Sequence, residues 1–298
     1  MESRHYFHLV SPSPWPFFTG ISLFCITSGA AMFFHFYKIG PKLLILGLIS
    51  LISCMFFWWR DIIVEGTYQG AHSLIVQQGL RFGIVLFIIS EIMFFFSFFW
   101  AFFHSSLAPN IEIGSVWPPA EIYVFNPWQV PLLNTLLLLT SGCTVTWAHY
   151  LICVASPVSD NIIEVSKKEN FLIKKIYLTE ISKDRGDFEN GNLAFSLTLF
   201  LAILFTFFQG YEYFEAPFSI LDGIYGSTFF MLTGFHGMHV IVGTIFLTVC
   251  AFRYYYNQFS TLHHIGFEGA VWYWHFVDVV WLFLFIIVYY WGGKISFL

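Results

Sequence analysis

Charge is scarce in this chain. Asp, Glu, Lys and Arg make up 10% of its 298 residues, and 13 basic residues stand against 18 acidic ones for a net charge of −5. With no basic arm to neutralise phosphates, nucleic acid is excluded as a partner. Cysteine is also scarce. Cys25, Cys54, Cys143, Cys153 and Cys250 are widely spaced, with no C-x-x-C pair, and all lie in or at the ends of apolar segments. They read as small packing residues, not as disulfides or metal ligands. Met1 to Pro16 lacks both a basic n-region and an Arg/Ser-rich amphipathic segment, so no cleavable targeting segment is expected. Repeats of 20–50 residues are absent too, which argues against solenoids and arrays.

What fills the chain is apolar. Hydrophobic residues reach 57% and phenylalanine alone counts 39. That composition predicts an all-α, polytopic membrane protein. Seven transmembrane helices are expected, at about 15–37, 41–59, 74–105, 130–152, 193–213, 227–252 and 269–291, within a single membrane domain covering 1–298. Prolines in Ser11-Pro-Ser-Pro-Trp-Pro16 suit a first helical turn, and Gly40-Pro41 marks a tight turn. Residues 157–192 break the pattern, with 13 charged residues in a hydrophilic insertion between helices four and five. It is too short for a core of its own and reads as solvated chain with at most one short amphipathic helix. Ten Lys and Arg on the N-terminal side against three on the other place the N-terminus inside, and seven spans place the C-terminus outside. Without the insertion the balance is four to three.

One carboxylate stands apart. Glu91 lies in the apolar run Phe82–Phe103, about 13 Å from either Phe82 or Trp100 and so near the bilayer midplane. Its same-face neighbours Phe87, Ile88, Phe94 and Phe95 offer no charge. An acid at that depth costs about 2.5–3.5 kcal/mol on insertion scales and faces protein or a water-filled cavity. Two roles fit it: a neutral acid hydrogen-bonded to another helix, or a proton- or cation-handling group.

The histidines come next. His236 and His239 are i, i+3 on helix six, and His275 and Asp278 are i, i+3 on helix seven. Convergent imidazoles in membrane helices suit haem or copper. Against this stands a polar inter-helix seam in which His236, His239, His275 and Asp278 hydrogen-bond across helices. The seam is the expected arrangement, with no metal and no catalytic residue. Near the inner boundary Trp58, Trp59, Arg60, Glu65, His72 and Arg253 combine aromatics with cations, as a phospholipid headgroup site would, or as an ordinary interfacial belt does. On the outer side Glu212, Glu215 and Asp222, with Glu112 and Glu121, form an acidic face suited to steering a basic partner or simply solvated.

Several stretches carry a resemblance. They include Ser11-Pro-Ser-Pro-Trp-Pro16, Trp58-Trp-Arg-Asp61, Gly79-Leu-Arg-Phe-Gly83, Leu86-Phe-Ile-Ile-Ser-Glu91 and His104-Ser-Ser-Leu-Ala-Pro109. Trp117-Pro-Pro119, Val130-Pro-Leu-Leu-Asn-Thr135, Thr146-Trp-Ala-His149, Glu215-Ala-Pro-Phe218, Tyr225-Gly-Ser-Thr-Phe-Phe230, Gly234-Phe-His-Gly237 and Trp272-Tyr-Trp-His-Phe-Val-Asp-Val-Val-Trp281 complete the set. Together they resemble subunit III of mitochondrial aa3-type cytochrome c oxidases over almost the whole chain. The resemblance implies helices 1–2 set apart from helices 3–7 by a lipid-filled V-shaped cleft. It implies no redox cofactor in this chain, structural phospholipids, and haem a and copper in partner subunits. Subunit I is the implied main contact, with subunit II and accessory subunits as further partners and cytochrome c at a distance. The implied setting is the mitochondrial inner membrane, with the N-terminus in the matrix and the C-terminus in the intermembrane space. The implied role is support of proton uptake and stability of the complex that oxidises cytochrome c, reduces O2 and pumps protons. Glu91 matches the family's intramembrane glutamate, and Trp58, Trp59, Arg60, Glu65, His72 and Arg253 fall on positions used around bound lipid. Two departures stand out: Val64-Glu65-Gly66-Thr67 lacks an arginine common in the family, and the 157–192 insertion replaces a usually short link.

Two competitors remain. A quinol-oxidising relative usually lacks the first two helices, whereas seven spans are expected here. A stand-alone secondary transporter using Glu91 predicts inverted repeats and broken helices, neither of which the sequence displays.

Overall fold

The computed structural model describes residues 8–9, 11–154 and 171–293, with side chains omitted for 171–187. Among these residues the architecture is all-helical. In chain order the helices are α1 (Trp15–Phe34), α2 (Gly40–Thr67), α3 (Leu74–Leu107), α4 (Val130–Val154), α5 (Phe171–Phe214), α6 (Gly223–Tyr255) and α7 (Ile265–Leu284). A π-helical stretch, Phe285–Trp291, continues α7, and a short 3-10 turn spans Ile111–Ile113. Seven of the described helices are long and apolar enough to cross a membrane.

Contacts within the chain divide into two compact units, Met1–Leu80 and Arg81–Leu298. The first is built on the α1–α2 hairpin. Pro14 precedes α1 and a second proline sits in its first turn, where no intrahelical donor is needed. Glycines let the two backbones touch. A Cβ on Gly29 would stand 2.6 Å from the Leu44 amide nitrogen, and one on Gly47 would stand 2.9 Å from that of Ile26. Close approach of small residues is the usual device for joining helices that lipid cannot push together.

The second unit is centred on α7. Across its span 56% of residues are buried, against 6% for α3. The α4 face Asn134, Thr135, Leu138, Ser141, Gly142, Val145 and Ala148 packs inward at helical spacing. Indole donors stitch α4 to α7: Trp274 Nε1 donates to Ser141 Oγ and Trp281 Nε1 to Thr135 Oγ1, each at 2.9 Å. Thr144 and Thr198 join α4 to α5 at 2.7 Å. Each bond consumes a polar group that hydrocarbon would leave unpaired.

Helix limits differ most from the sequence expectation at two places. The α2 helix runs on to Thr67, eight residues past the apolar run that ends at Trp59. Asp61 on this extension accepts a 2.6 Å bond from Trp15 Nε1, which ties it back to α1. The α5 helix starts at Phe171, inside the stretch read as an insertion, so much of that stretch is a helical extension of span five. Backbone hydrogen bonding does not stop where hydrocarbon does, and charged residues are good helix formers. Residues 157–170 of the stretch, and the side chains of 171–187, lie outside the described residues.

Candidate functional site

Glu91 sits on α3 and meets a partner that helical periodicity did not indicate. His239 Nε2, on α6, lies 2.7 Å from Glu91 Oε2. His239 Nδ1 is 2.6 Å from the Phe235 carbonyl, so it must carry a proton and donate. The bond to Glu91 then holds exactly one further proton, as a carboxylic acid facing a neutral imidazole or as a carboxylate facing an imidazolium. Either way the pair is electrically neutral overall, which is the state a membrane interior tolerates. Aromatic rings enclose it. Phe95 meets His239 edge-on at 5.0 Å, Tyr273 stacks at 6.3 Å, and Phe276 stands at 6.4 Å. Phe94, read from the sequence only as an apolar neighbour of Glu91, packs edge-on against Phe235 at 5.0 Å.

The four residues expected to form one seam form three separate arrangements. His239 belongs with Glu91, not with Asp278. His236 is fully buried, donates from Nε2 to the Val277 carbonyl at 3.1 Å, and lies against Trp281 at 5.2 Å. His275 reaches Thr146 on α4 at 3.1 Å and stands 3.8 Å from Asp278, too far for a hydrogen bond. Asp278 points at Gly142, where a Cβ would come within 2.6 Å of its Oδ2, so only glycine leaves room for the carboxylate there.

The expected lipid residues fall in both units. In the first, Trp58 is half-buried while Trp59 and Arg60 are exposed. Arg60 donates to its neighbour Asp61 at 2.9 Å and lies 5.4 Å from the Phe57 ring centre. Glu65 and His72 are half-buried. A Cβ on Gly66 would stand 2.7 Å from His72 Cε1, so the unusual glycine beside Glu65 makes space for that imidazole. In the second unit Arg253 donates to Gln258 at 3.3 Å and lies over Phe259 at 4.4 Å. Burial, with Arg253 and His264 nearby, holds the His263 imidazole below its ordinary range. Arg253 is therefore the firmer cation at this end.

Sequence reasoning missed three features. Arg81 forks onto Glu268, with 2.7 and 3.2 Å bonds linking α3 to the start of α7. Their paired positions beside the starts of two spans were the available signal. His149, Cys153 and His264 gather at the ends of α4 and α7, although nothing in their spacing along the chain reveals it. Glu212, assigned to the outer acidic face, is instead buried on α5 at 2% exposure, beside Tyr289. Helix five runs to Phe214, which turns Glu212 inward and leaves Glu215 and Asp222 to the loop.

The chain was compared with known proteins. The family model for cytochrome c oxidase subunit III matches residues 5–167 and 175–293. It runs through most of the stretch read as an insertion and leaves only residues 168–174 between its two matched segments. Proteins named cytochrome c oxidase subunit 3 are similar over nearly their full lengths. That of Prototheca wickerhamii is 54% identical, covering 97% of this chain and 99% of the relative. That of Triticum aestivum is 52% identical with 98% of each covered, and that of Oryctolagus cuniculus is 50% identical, covering 98% and 99%. A match of this extent, on a fold with seven membrane-capable helices, establishes that the chain belongs to the cytochrome c oxidase subunit III family, a subunit of respiratory complex IV.

Proposed function

We propose that the chain is a non-redox subunit that binds phospholipid and supports proton uptake and stability in the oxidase, while haem a and copper reside in partner subunits. The observation that carries this reading is where the intramembrane imidazoles spend their nitrogens. His239 uses both, on Glu91 and the Phe235 carbonyl. His236 uses one on the Val277 carbonyl and His275 one on Thr146. Imidazoles committed to inter-helix bonds lend themselves to architecture and to holding a proton, not to axial ligation.

Under this reading Glu91 is an accessory carboxylate. Its proton is shared with His239 inside an aromatic enclosure and supports a proton path whose main groups belong to subunit I. Trp58, Trp59, Arg60, Glu65 and His72 on the first unit, and Arg253 on the second, take headgroup positions at the membrane boundary. Subunits I and II and accessory subunits are the partners, in the mitochondrial inner membrane with the N-terminus in the matrix. The outer acids Glu215 and Asp222 face cytochrome c at a distance.

The test is the oxidase carrying Glu91→Gln. It should assemble with its haem a absorbance and initial turnover intact, because no electron passes through this chain. Loss of the haem signal would overturn the non-redox assignment. For the lipid role, Arg253→Ala should lower the anionic phospholipid retained per complex, read by mass spectrometry. Unchanged lipid content would overturn that part.

A further inference from the structure

Where α4 ends and α7 begins, three side chains bring metal-binding atoms together: His149, Cys153 and His264. Their ligand atoms all lie within 4.8 Å of one another. Cys153 Sγ stands 3.7 Å from His149 Nε2 and 3.7 Å from His264 Nε2. In a tetrahedral site with metal–sulfur and metal–nitrogen bonds of about 2.3 and 2.05 Å, adjacent S and N ligands sit about 3.6 Å apart. Glu268 Oε1 lies 3.5 Å from the same His264 nitrogen and accepts from Arg81 at 3.2 Å, so it is a charged neighbour of the cluster and not one of its ligands.

The imidazole of His264 is also prepared for ligation. Its Nδ1 donates to the Ser260 carbonyl at 2.9 Å, which fixes the tautomer and leaves the Nε2 lone pair aimed at the cluster. His264 is buried at 5% exposure, His149 is half-buried and Cys153 is exposed, so the rigid side of the site faces the protein and the thiol faces outward. The His149 ring packs edge-on against Phe267 at 5.7 Å and edge-on against the His264 ring at 5.3 Å.

We propose that His149 Nε2, Cys153 Sγ and His264 Nε2 form a binding site for a divalent ion of the zinc class, with water completing its shell. Binding releases the thiol proton and forms a metal–thiolate bond. A set of two imidazoles and a thiolate selects zinc-like ions over magnesium or calcium, which prefer all-oxygen shells. The site is a clamp that ties the last turn of α4 to the first turn of α7, and it reverses for Cys153 the expectation that every cysteine merely packs. The ion is not a redox centre, and the assignment stands independently of the lipid and proton roles.

The experiment uses the intact purified oxidase. Cys153 is alkylated with N-ethylmaleimide at buffered micromolar free Zn2+ or with chelator, and modification is followed by mass spectrometry. Zinc should slow alkylation of Cys153 about tenfold when its free concentration is about ten times the dissociation constant. Exposed Cys143, on the same helix, serves as the internal control and should react at an unchanged rate. His149→Asn should abolish the protection, and so should His264→Gln. Magnesium in place of zinc should give no protection. Unchanged Cys153 reactivity in the unsubstituted complex would overturn the proposal without reliance on any variant. Equal slowing at Cys143, or protection that persists in His149→Asn, would also overturn it.

Discussion

His239 Nε2 stands 2.7 Å from Glu91 Oε2 while the other ring nitrogen donates to the Phe235 carbonyl. The carboxylate therefore shares one proton with an imidazole whose tautomer is already fixed. A glutamine at 91 can donate its amide hydrogen to the same nitrogen, whereas a leucine cannot. Glu91→Gln should keep the α3–α6 connection, and Glu91→Leu should strand His239 Nε2 at a cost of about 1–3 kcal/mol. The double replacement Glu91→Leu with His239→Leu should recover part of that loss, because both polar groups are then gone. The readout is the temperature at which this subunit leaves the detergent-solubilised complex. Equal losses for Gln and Leu would show that charge, not the hydrogen bond, holds the pair.

The helical fold was legible because each span is a long apolar run, and the depth of Glu91 followed from helical rise alone. Its partner was not legible. His239 is 148 residues away, and sequence periodicity says which residues share a face but not which helix that face meets. The same gap explains why His236, His239, His275 and Asp278 were merged into one seam: i, i+3 pairs on two helices look convergent until rotation about each axis is known. Glu212 was misplaced for a simpler reason. An acid two residues before the end of a span reads as loop, and only packing against Tyr289 reveals that it turns inward.

The indole ladder between α7 and α4 makes a second prediction. Trp274 and Trp281 each donate to a hydroxyl that is itself bonded to its own helix. Trp281→Phe should leave Thr135 without its donor and cost about 1 kcal/mol beyond any packing change, and Trp274→Phe should act likewise at Ser141. The two sites lie two turns apart with separate partners, so their effects should add. Thr135→Val placed on Trp281→Phe should cost little more. Thermal release of the subunit measures all four variants, and a strong interaction between the two indoles would contradict separate bonds.

Close backbone approach in the α1–α2 hairpin gives a third. A Cβ on Gly29 meets the Leu44 backbone at 2.6 Å, where no side-chain rotation can relieve the clash, while a Cβ on Gly20 meets nothing within 4 Å. Gly29→Ala should therefore force the helices apart at a cost of about 1–3 kcal/mol, as overpacking does elsewhere. Gly20→Ala on the same helix should be neutral or slightly stabilising. Faster cleavage of the hairpin by protease in detergent, for Gly29→Ala alone, is the expected result. Equal behaviour of the two variants would mean that the hairpin is not held by backbone contact.

The Arg81–Glu268 fork tests how charge is tolerated where it is scarce. Glu268 keeps 15% of its side-chain surface exposed and Arg81 35%, so the pair is only partly shielded from solvent. Removing one partner of a fully buried pair costs about 3–5 kcal/mol, and partial exposure reduces that here to about 1–3 kcal/mol. Arg81→Ala leaves the carboxylate of Glu268 half-desolvated against His264, so it should be more damaging than Arg81→Ala combined with Glu268→Ala. Arg81→Lys should fall between them, because an ammonium keeps the charge but cannot present the two parallel donors that now reach both carboxylate oxygens. Subunit retention on heating, compared at low and high salt, separates the contributions. A fork held by geometry should lose little with added salt, whereas an attraction through solvent should be screened. Strictly additive single losses would show that the two side chains do not depend on each other.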